Sequence, residues 1–425
     1  MKLQFRLCIL AVCICLLLSS IVWAGRLPSA RPEDVGLSSQ RLERIGAALR
    51  ADIEKGRIPG AVVLIARKGK IAYFESFGMR NKEARAPMQK DSIFRIYSMT
   101  KPIVSVAIMM LCEEGRITLT EPASKYLPEL GELKVGVEGT NSLTGKPTFY
   151  TVPAQRDMTV QDLLRHTSGF TCESLAKSPT VRSMYQKADL GNHNETAAEM
   201  TQKLGKLPLA YHPGTQWEYG VSTDVLGHLI EVVSGIPLDR FLEGRVLQPL
   251  QMEDTGFYVK PEKRNRIAEG VRDPKTGQPP DLMDVTKPPK FLSGAGGMVS
   301  TAVDYARFLQ MLLNKGTLDG VQLLSRKTVE YMTADHLGPL AGRSDPGYIP
   351  GPGYGFGLGF AVRQQDGVSA WQGTVGDYWW AGYGGTYFWV DPQEEMFVVF
   401  MMQAIAERAH YRALVRNLVY QAIAD

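Results

Sequence analysis

The chain has 425 residues, enough for one large composite domain or two ordinary ones. Hydrophobic residues make up 44% and charged residues 22%, without a low-complexity tract, which excludes a disordered or fibrous chain. Charge is nearly balanced, 48 basic against 44 acidic residues for a net +4, and no Lys/Arg block stands out, so nucleic acid is not an expected partner.

The N-terminus differs in kind from the rest. Lys2 and Arg6 precede an apolar run over residues 7–22, and small residues end it at Ala24 before Gly25. This is the pattern of a secretory signal peptide over 1–24, with a mature chain from 25 to 425 that is secreted or periplasmic. The run is about 16 residues, short of the roughly 20 that a span needs, so no stable membrane insertion is expected after cleavage. An uncleaved anchor is the alternative. Cys8, Cys13 and Cys15 lie in this leader, which leaves Cys112 and Cys172. Their spacing does not decide between a disulfide and two unpaired thiols.

Beyond the leader, Leu42, Ile45, Leu49 and Ile53 fall at helical spacing, with Ser38 or Ser39 as the cap. "GAVVLIARKGKIAYFESFG" reads as two strands around a turn at Lys68 and Gly69. The middle reads as helices that stop at glycine: "PIVSVAIMMLCEEG", "TVQDLLRHTSG", "STDVLGHLIEVVSG" and "STAVDYARFLQMLLNKG". Near the C-terminus, "GFGLGFAV", "GGTYFWVD" and "MFVVFMMQ" read as strands, "DPQEE" as the turn between the last two, and the end from about Ile405 as a helix. The simplest assembly is an α/β lobe from about 25–95 and 350–425 with an inserted, mostly helical lobe over about 96–349. A cleft between two such lobes is a natural ligand site.

Two stretches carry the spacing S-x-x-K: Ser98 with Lys101, and Ser174 with Lys177. A serine hydroxyl is a weak nucleophile and needs a group to take its proton. Residues three apart share a helix face, so S-x-x-K sets an amine beside a hydroxyl. The unpaired N–H groups of a first helical turn can hold an oxyanion. Ser98 opens a long apolar helix, and Pro102 is best tolerated at such a start. Ser174 sits in a polar stretch broken by Gly169 and Pro179, which reads as a surface connection. Ser98 is therefore the expected nucleophile. There is no G-x-S-x-G elbow, and the six histidines form neither H-x-H nor H-E-x-x-H, so a zinc site is not expected. His166, in "RHTSG", reads as a structural histidine near a helix end.

At these residues the chain resembles the serine β-lactamase and penicillin-binding-protein-like superfamily, and within it the class C β-lactamase-like esterases called family VIII carboxylesterases. Besides "SMTK", the resemblance rests on "TVQDLLRHTSG", "YHPGTQWEYGVSTDVLGHLIEVVSG", "LQPLQMEDTGF", "GAGGMVSTAVDYARFL", "YGFGLGF" and "GGTYFWVDPQEE", in that order from about Arg31 onwards. It implies an antiparallel sheet flanked by helices plus an inserted helical domain. It implies Ser98 as the acylated nucleophile, and Lys101 and Tyr219 as the groups that manage its proton. Phenols ordinarily ionise near pH 10, and a neighbouring ammonium favours the phenolate, so such a pair makes chemical sense. By the same resemblance, Trp380, Ala381 and Gly382 stand at the Lys-Thr-Gly motif, and the backbone N–H groups of Ser98 and Tyr383 form the oxyanion hole.

Two departures matter. Val221 stands where the Tyr-x-Asn motif has its amide, and Trp380 where the third motif has its ammonium. Apolar groups in place of both favour uncharged acyl compounds, with Tyr378 and Trp379 as further aromatics nearby. The expected substrate is a small ester, cleaved through an acyl-enzyme with no metal or organic cofactor, and β-lactams are at most secondary substrates. A β-lactamase, a D-amino-acid peptidase, an acyltransferase and a catalytically silent envelope protein are the rivals.

Overall fold

The computed structural model describes residues 27–272, 277–278, 280–340, 342 and 347–425. The signal peptide read in residues 1–24 lies outside them. Strands β1 (Gly60–Arg67), β2 (Lys70–Asn81), β3 (Ala86–Pro87), β4 (Tyr354–Phe356), β5 (Ala361–Arg363), β6 (Tyr378–Ala381), β7 (Tyr387–Asp391) and β8 (Met396–Met402) form one sheet. Its order is β4-β5-β6-β7-β8-β1-β2-β3, antiparallel throughout, with the N-terminal hairpin joined to the C-terminal strands where β1 pairs with β8. β1 is apolar along almost its whole length, and all eight of its residues are buried. A strand of that composition needs cover on both faces.

Alternation along the strands supplies two faces, and helices take one each. Tyr411, on the C-terminal helix Arg408–Tyr420, stacks on Phe400, which pairs with Tyr387. Tyr305, on the helix Ala302–Leu313, packs on Phe388, the next residue of β7 and thus on the other face. The N-terminal helix Ser39–Glu54, capped by Ser38, packs on β1, β2 and the C-terminal helix. The helix Ala302–Leu313 therefore packs on β8 and β1 although it falls within 96–349. One apolar cluster runs through the sheet and the middle of the chain alike.

Several local readings shift. "GFGLGFAV" is two strands, β4 and β5, with Gly359 at φ +99° in the turn between them. "TVQDLLRHTSG" is helical only over Val160–Leu164, where Asp162 closes a capping box with Thr159. The middle also holds a two-stranded hairpin, Lys134–Thr140 with Pro147–Pro153. Cys112 and Cys172 are both free thiols, and burial pushes Cys112 up to about 12. Among the described residues no helix is long and apolar enough to cross a membrane, and no group of three or more His, Cys, Asp or Glu could hold a metal ion.

Candidate active site

The helix Thr100–Glu113 is buried from Thr100 to Leu111, as an all-round apolar helix must be. It packs against the helix Ser222–Ser234, and this contact brings Ser98, Lys101 and Tyr219 together from two parts of the chain. Ser98 lies in the 3-10 turn Tyr97–Met99 just before the first helix. That turn is pinned from several sides. Ile96 N–H donates to Met298 O at 3.0 Å, Met298 N–H to Thr100 Oγ1 at 3.2 Å, and Tyr305 O–H to Met99 O at 2.9 Å. Tyr97 holds φ +44°, a left-handed conformation that costs a non-glycine residue of order 1–3 kcal/mol. The strained residue sits directly before Ser98, the candidate nucleophile. Ser98 stands at neither N-cap position, which fall to Ile96 and Met99.

The partners of the Ser98 hydroxyl are the expected ones. Tyr219 Oη lies 2.8 Å from Ser98 Oγ, and Lys101 Nζ lies 3.3 Å from it. Lys101 is 3% exposed; its Nζ also donates to Ala295 O at 2.8 Å and sits 4.5 Å from the centroid of the Tyr219 ring. The Tyr219 ring is held by His166 at 4.9 Å, Trp380 at 5.5 Å and Trp217 at 6.1 Å between centroids. His166 does close the helix end at φ +59°, but it is also a wall of this site. Burial, with the Lys101 charge adding to it, holds its imidazole well below the ordinary value, so the ring is neutral.

The end of β6 runs beside the nucleophile turn. A Cβ on Gly382 would lie 2.4 Å from Ile96 O, so only glycine allows this approach. Tyr383 follows, half exposed, with its ring edge-on to Tyr97 at 5.8 Å. Among the described residues no backbone carbonyl takes up the Tyr383 N–H, and Ser98 precedes the first turn of its helix, where N–H groups lack intrahelical partners. Arg412, from the C-terminal helix, donates to Gly382 O at 3.0 Å and braces this strand end. Burial lowers Arg412 to about 10.

Trp380 lies in the wall of the cluster. It is 2% exposed, packed on Tyr219 and Phe356. Trp379 packs on Tyr354, Trp371 and Tyr387 and also stacks on Trp380 at 5.6 Å between centroids, and Tyr378 packs on Phe360. Of the four aromatics near the third motif, Trp380 and Tyr383 border the site. Ala381 is 9% exposed, and Val221 is half-buried at the start of the helix Ser222–Ser234. Ser174 is exposed in a turn, 3.3 Å from Cys172 Sγ, and has no part in the cluster. Its partner in spacing, Lys177, borders a small cavity with Leu175, Trp217, Tyr219 and Tyr348. Larger cavities, one by Tyr258 and Pro288 and one by Phe74 and Asp304, share no residue with the cluster.

A serine at a strained turn, with an amine and a phenol both on its Oγ, is the kind of arrangement that nucleophilic catalysis by serine requires. The chain belongs to the Beta-lactamase family, whose description matches residues 45–420. Protein Rv1367c of Mycobacterium tuberculosis is 34% identical over 366 residues, covering 84% of this chain and 88% of its own. Esterase EstB of Burkholderia gladioli is 28% identical over 370 residues, covering 82% and 86%. Among solved structures, EstCE1, described as a hydrolase with promiscuous acyltransferase activity, superposes with a TM-score of 0.75 at 26% identity, covering 90% of this chain and 99% of that one. The chain is thus a serine hydrolase of this family.

Proposed function

We propose that the protein is a serine carboxylesterase that hydrolyses short to medium acyl esters through an acyl-enzyme. The observation that carries this reading is the meeting of Tyr219 Oη and Lys101 Nζ on Ser98 Oγ in a site with valine at 221 and tryptophan at 380. Ser98 Oγ attacks the ester carbonyl, and its proton passes to the Tyr219–Lys101 pair. The backbone N–H groups of Ser98 and Tyr383 hold the oxyanion. Collapse of the tetrahedral intermediate returns the proton to the leaving alcohol. Water then attacks the acyl-Ser98 ester, giving its proton to the same pair, and collapse of the second intermediate returns that proton to Ser98 Oγ as the acid leaves. An alcohol in place of water gives transfer, the activity named for EstCE1, and this differs only in the acceptor.

The site favours esters over β-lactams because no amide at 221 and no ammonium at 380 is there to bind the lactam's polar groups. A charged hydrogen bond missing from a site is worth roughly 1.5–3 kcal/mol, or about 10- to 150-fold in rate if felt in the transition state. A panel of p-nitrophenyl esters beside nitrocefin and a D-Ala-D-Ala peptide tests this. Esters should give the highest kcat/KM, and Val221→Asn should shift the ratio towards nitrocefin. Higher kcat/KM for penicillins, cephalosporins or the peptide than for any ester would replace the esterase reading. We also propose export, from the basic and apolar pattern of residues 1–24. N-terminal sequencing of secreted material should begin near Gly25, and finding Met1 on membrane-bound protein would refute it.

A further inference from the structure

Lys101 holds its place beside Ser98 partly through one backbone carbonyl, Ala295 O, at 2.8 Å. That carbonyl belongs to a glycine-rich loop, residues 293–297, with no regular structure of its own. Asp224, 8% exposed, is what fixes the loop. Its Oδ1 accepts from Ala295 N–H at 3.0 Å and from Ser293 Oγ–H at 2.6 Å, and Ser293 Oγ in turn accepts from Gly296 N–H at 3.1 Å. Between these anchors the loop lies directly on the helix Ser222–Ser234: a Cβ on Gly294 would stand 2.5 Å from Thr223 O. Asp224 is in the first turn of that helix, five residues after Tyr219. One helix start therefore sets both the phenol and, through the loop, the amine. Burial pushes the Asp224 carboxyl above its ordinary range, while the Ser293 bond and the Lys101 charge pull it back. A buried aspartate that staples a loop for stability alone is the plainer reading.

We propose that Asp224 is a positioning residue for the reaction: it locks residues 293–297 onto the helix so that Ala295 O takes one N–H of Lys101 and aims the ammonium at Ser98 Oγ. The proposal rests on the reading of Ser98 and Lys101 as the acylating pair. It predicts an effect on turnover rather than on substrate affinity, because the hydrogen bonds of Asp224 go to the loop and not to Ser98.

The test compares Asp224→Ala, Asp224→Asn and Ser98→Ala on p-nitrophenyl butyrate, with kcat, KM, the pH–rate profile and the thermal midpoint measured for each. A misplacement of about 1 Å in an active site can cost up to about 10²-fold, so Asp224→Ala should lower kcat by about tenfold or more with KM within about threefold. Asparagine keeps an oxygen that accepts the same two bonds. Asp224→Asn should therefore recover kcat to within about threefold of the parent, with an unchanged pH profile. A kcat for folded Asp224→Ala within about threefold of the parent overturns the proposal. So does an Asp224→Asn as slow as Asp224→Ala, which would make the charge and not the hydrogen bonds the operative feature. If Asp224→Ala does not fold, Ser293→Ala removes one anchor and leaves the carboxylate; a drop in kcat at constant KM supports the proposal, and an unchanged kcat overturns it. An active Ser98→Ala would instead bring down the acylating pair itself, whereas a dead Ser98→Ala with a fully active Asp224→Ala brings down only the positioning role.

Discussion

Removing one oxygen atom from Tyr219 separates proton transfer from architecture. Tyr219→Phe keeps the ring and therefore its packing on His166, Trp217 and Trp380. It deletes one polar contact, the 2.8 Å approach of Oη to Ser98 Oγ. A hydrogen bond of this kind contributes about 0.5–1.5 kcal/mol to folding, so the thermal midpoint should fall by a few degrees at most. The catalytic loss should be larger. General acid–base groups contribute about 10²–10⁴-fold, so kcat should fall by at least about 10²-fold, or about 2.7 kcal/mol of barrier. KM should hold, because the lost contact is to the enzyme's own serine and not to substrate. Lys101→Ala is the less clean probe: it also strips Ala295 O of its donor in a buried setting, which costs about 1–3 kcal/mol of stability. The two residues serve one proton path, so Tyr219→Phe with Lys101→Ala should lose much less than the product of the single losses. Initial rates on p-nitrophenyl butyrate with thermal unfolding of each variant make the test. A Tyr219→Phe enzyme within about threefold of the parent kcat, or losses that multiply in full, would refute the shared path.

Two further outcomes are expected. Ser98→Ala should abolish ester hydrolysis while Ser174→Ala leaves it nearly intact, and mass spectrometry after fluorophosphonate treatment should place the adduct on Ser98; an adduct on Ser174 would sink the assignment. The folded-state value of His166 lies well below that of an unfolded histidine, about 6.5, so as pH falls past that point the unfolded chain gains a proton that the folded one refuses, and stability declines. His166→Phe keeps a ring against Tyr219 and should make that decline shallower in denaturant titrations between about pH 7 and pH 5, whereas an unchanged slope would mean that His166 is not the group responsible.

The legible parts of the molecule are those whose signals are local. The helix capped by Ser38, the hairpin turning at Lys68 and Gly69, and the turn between β7 and β8 each depend on a few adjacent residues, and each is found as read. Ser98 and Lys101 were legible for the same reason, since three residues along one chain carry the geometry. Tyr219 needed the resemblance, because a tyrosine before a glycine says nothing of a contact 121 positions away. Arg412 and Asp224 gave no signal: one reaches the site from the last helix, the other acts through a backbone carbonyl that every residue possesses. Trp380 shows a different limit. Period-two alternation in "YWWA" would set Trp379 and Trp380 on opposite faces, yet their rings stack at 5.6 Å, and alternation does not say which covered face looks towards the cleft.

The placement of Trp380 changes what its substitution does. As a surface in contact with substrate it would simply lack the ammonium of the third β-lactamase motif. Buried against Tyr219 and Phe356, it also adds to the apolar surroundings of Tyr219. Tyr219 and Lys101 face aromatic rings on several sides and a neutral imidazole on another, so any charge between them and Ser98 is poorly screened and strongly felt. Restoring a lysine at 380 would put a second ammonium into this apolar wall, near Lys101, at a cost in desolvation that only a long side chain reaching the cleft could lessen. Val221 is only half-buried, at a helix start, where it packs on the edge of the core. The two departures from the β-lactamase pattern are therefore not equivalent. Under the proposed function, position 221 bears on what the site recognises, whereas position 380 also packs on the Tyr219 ring, so a substitution there is expected to disturb both.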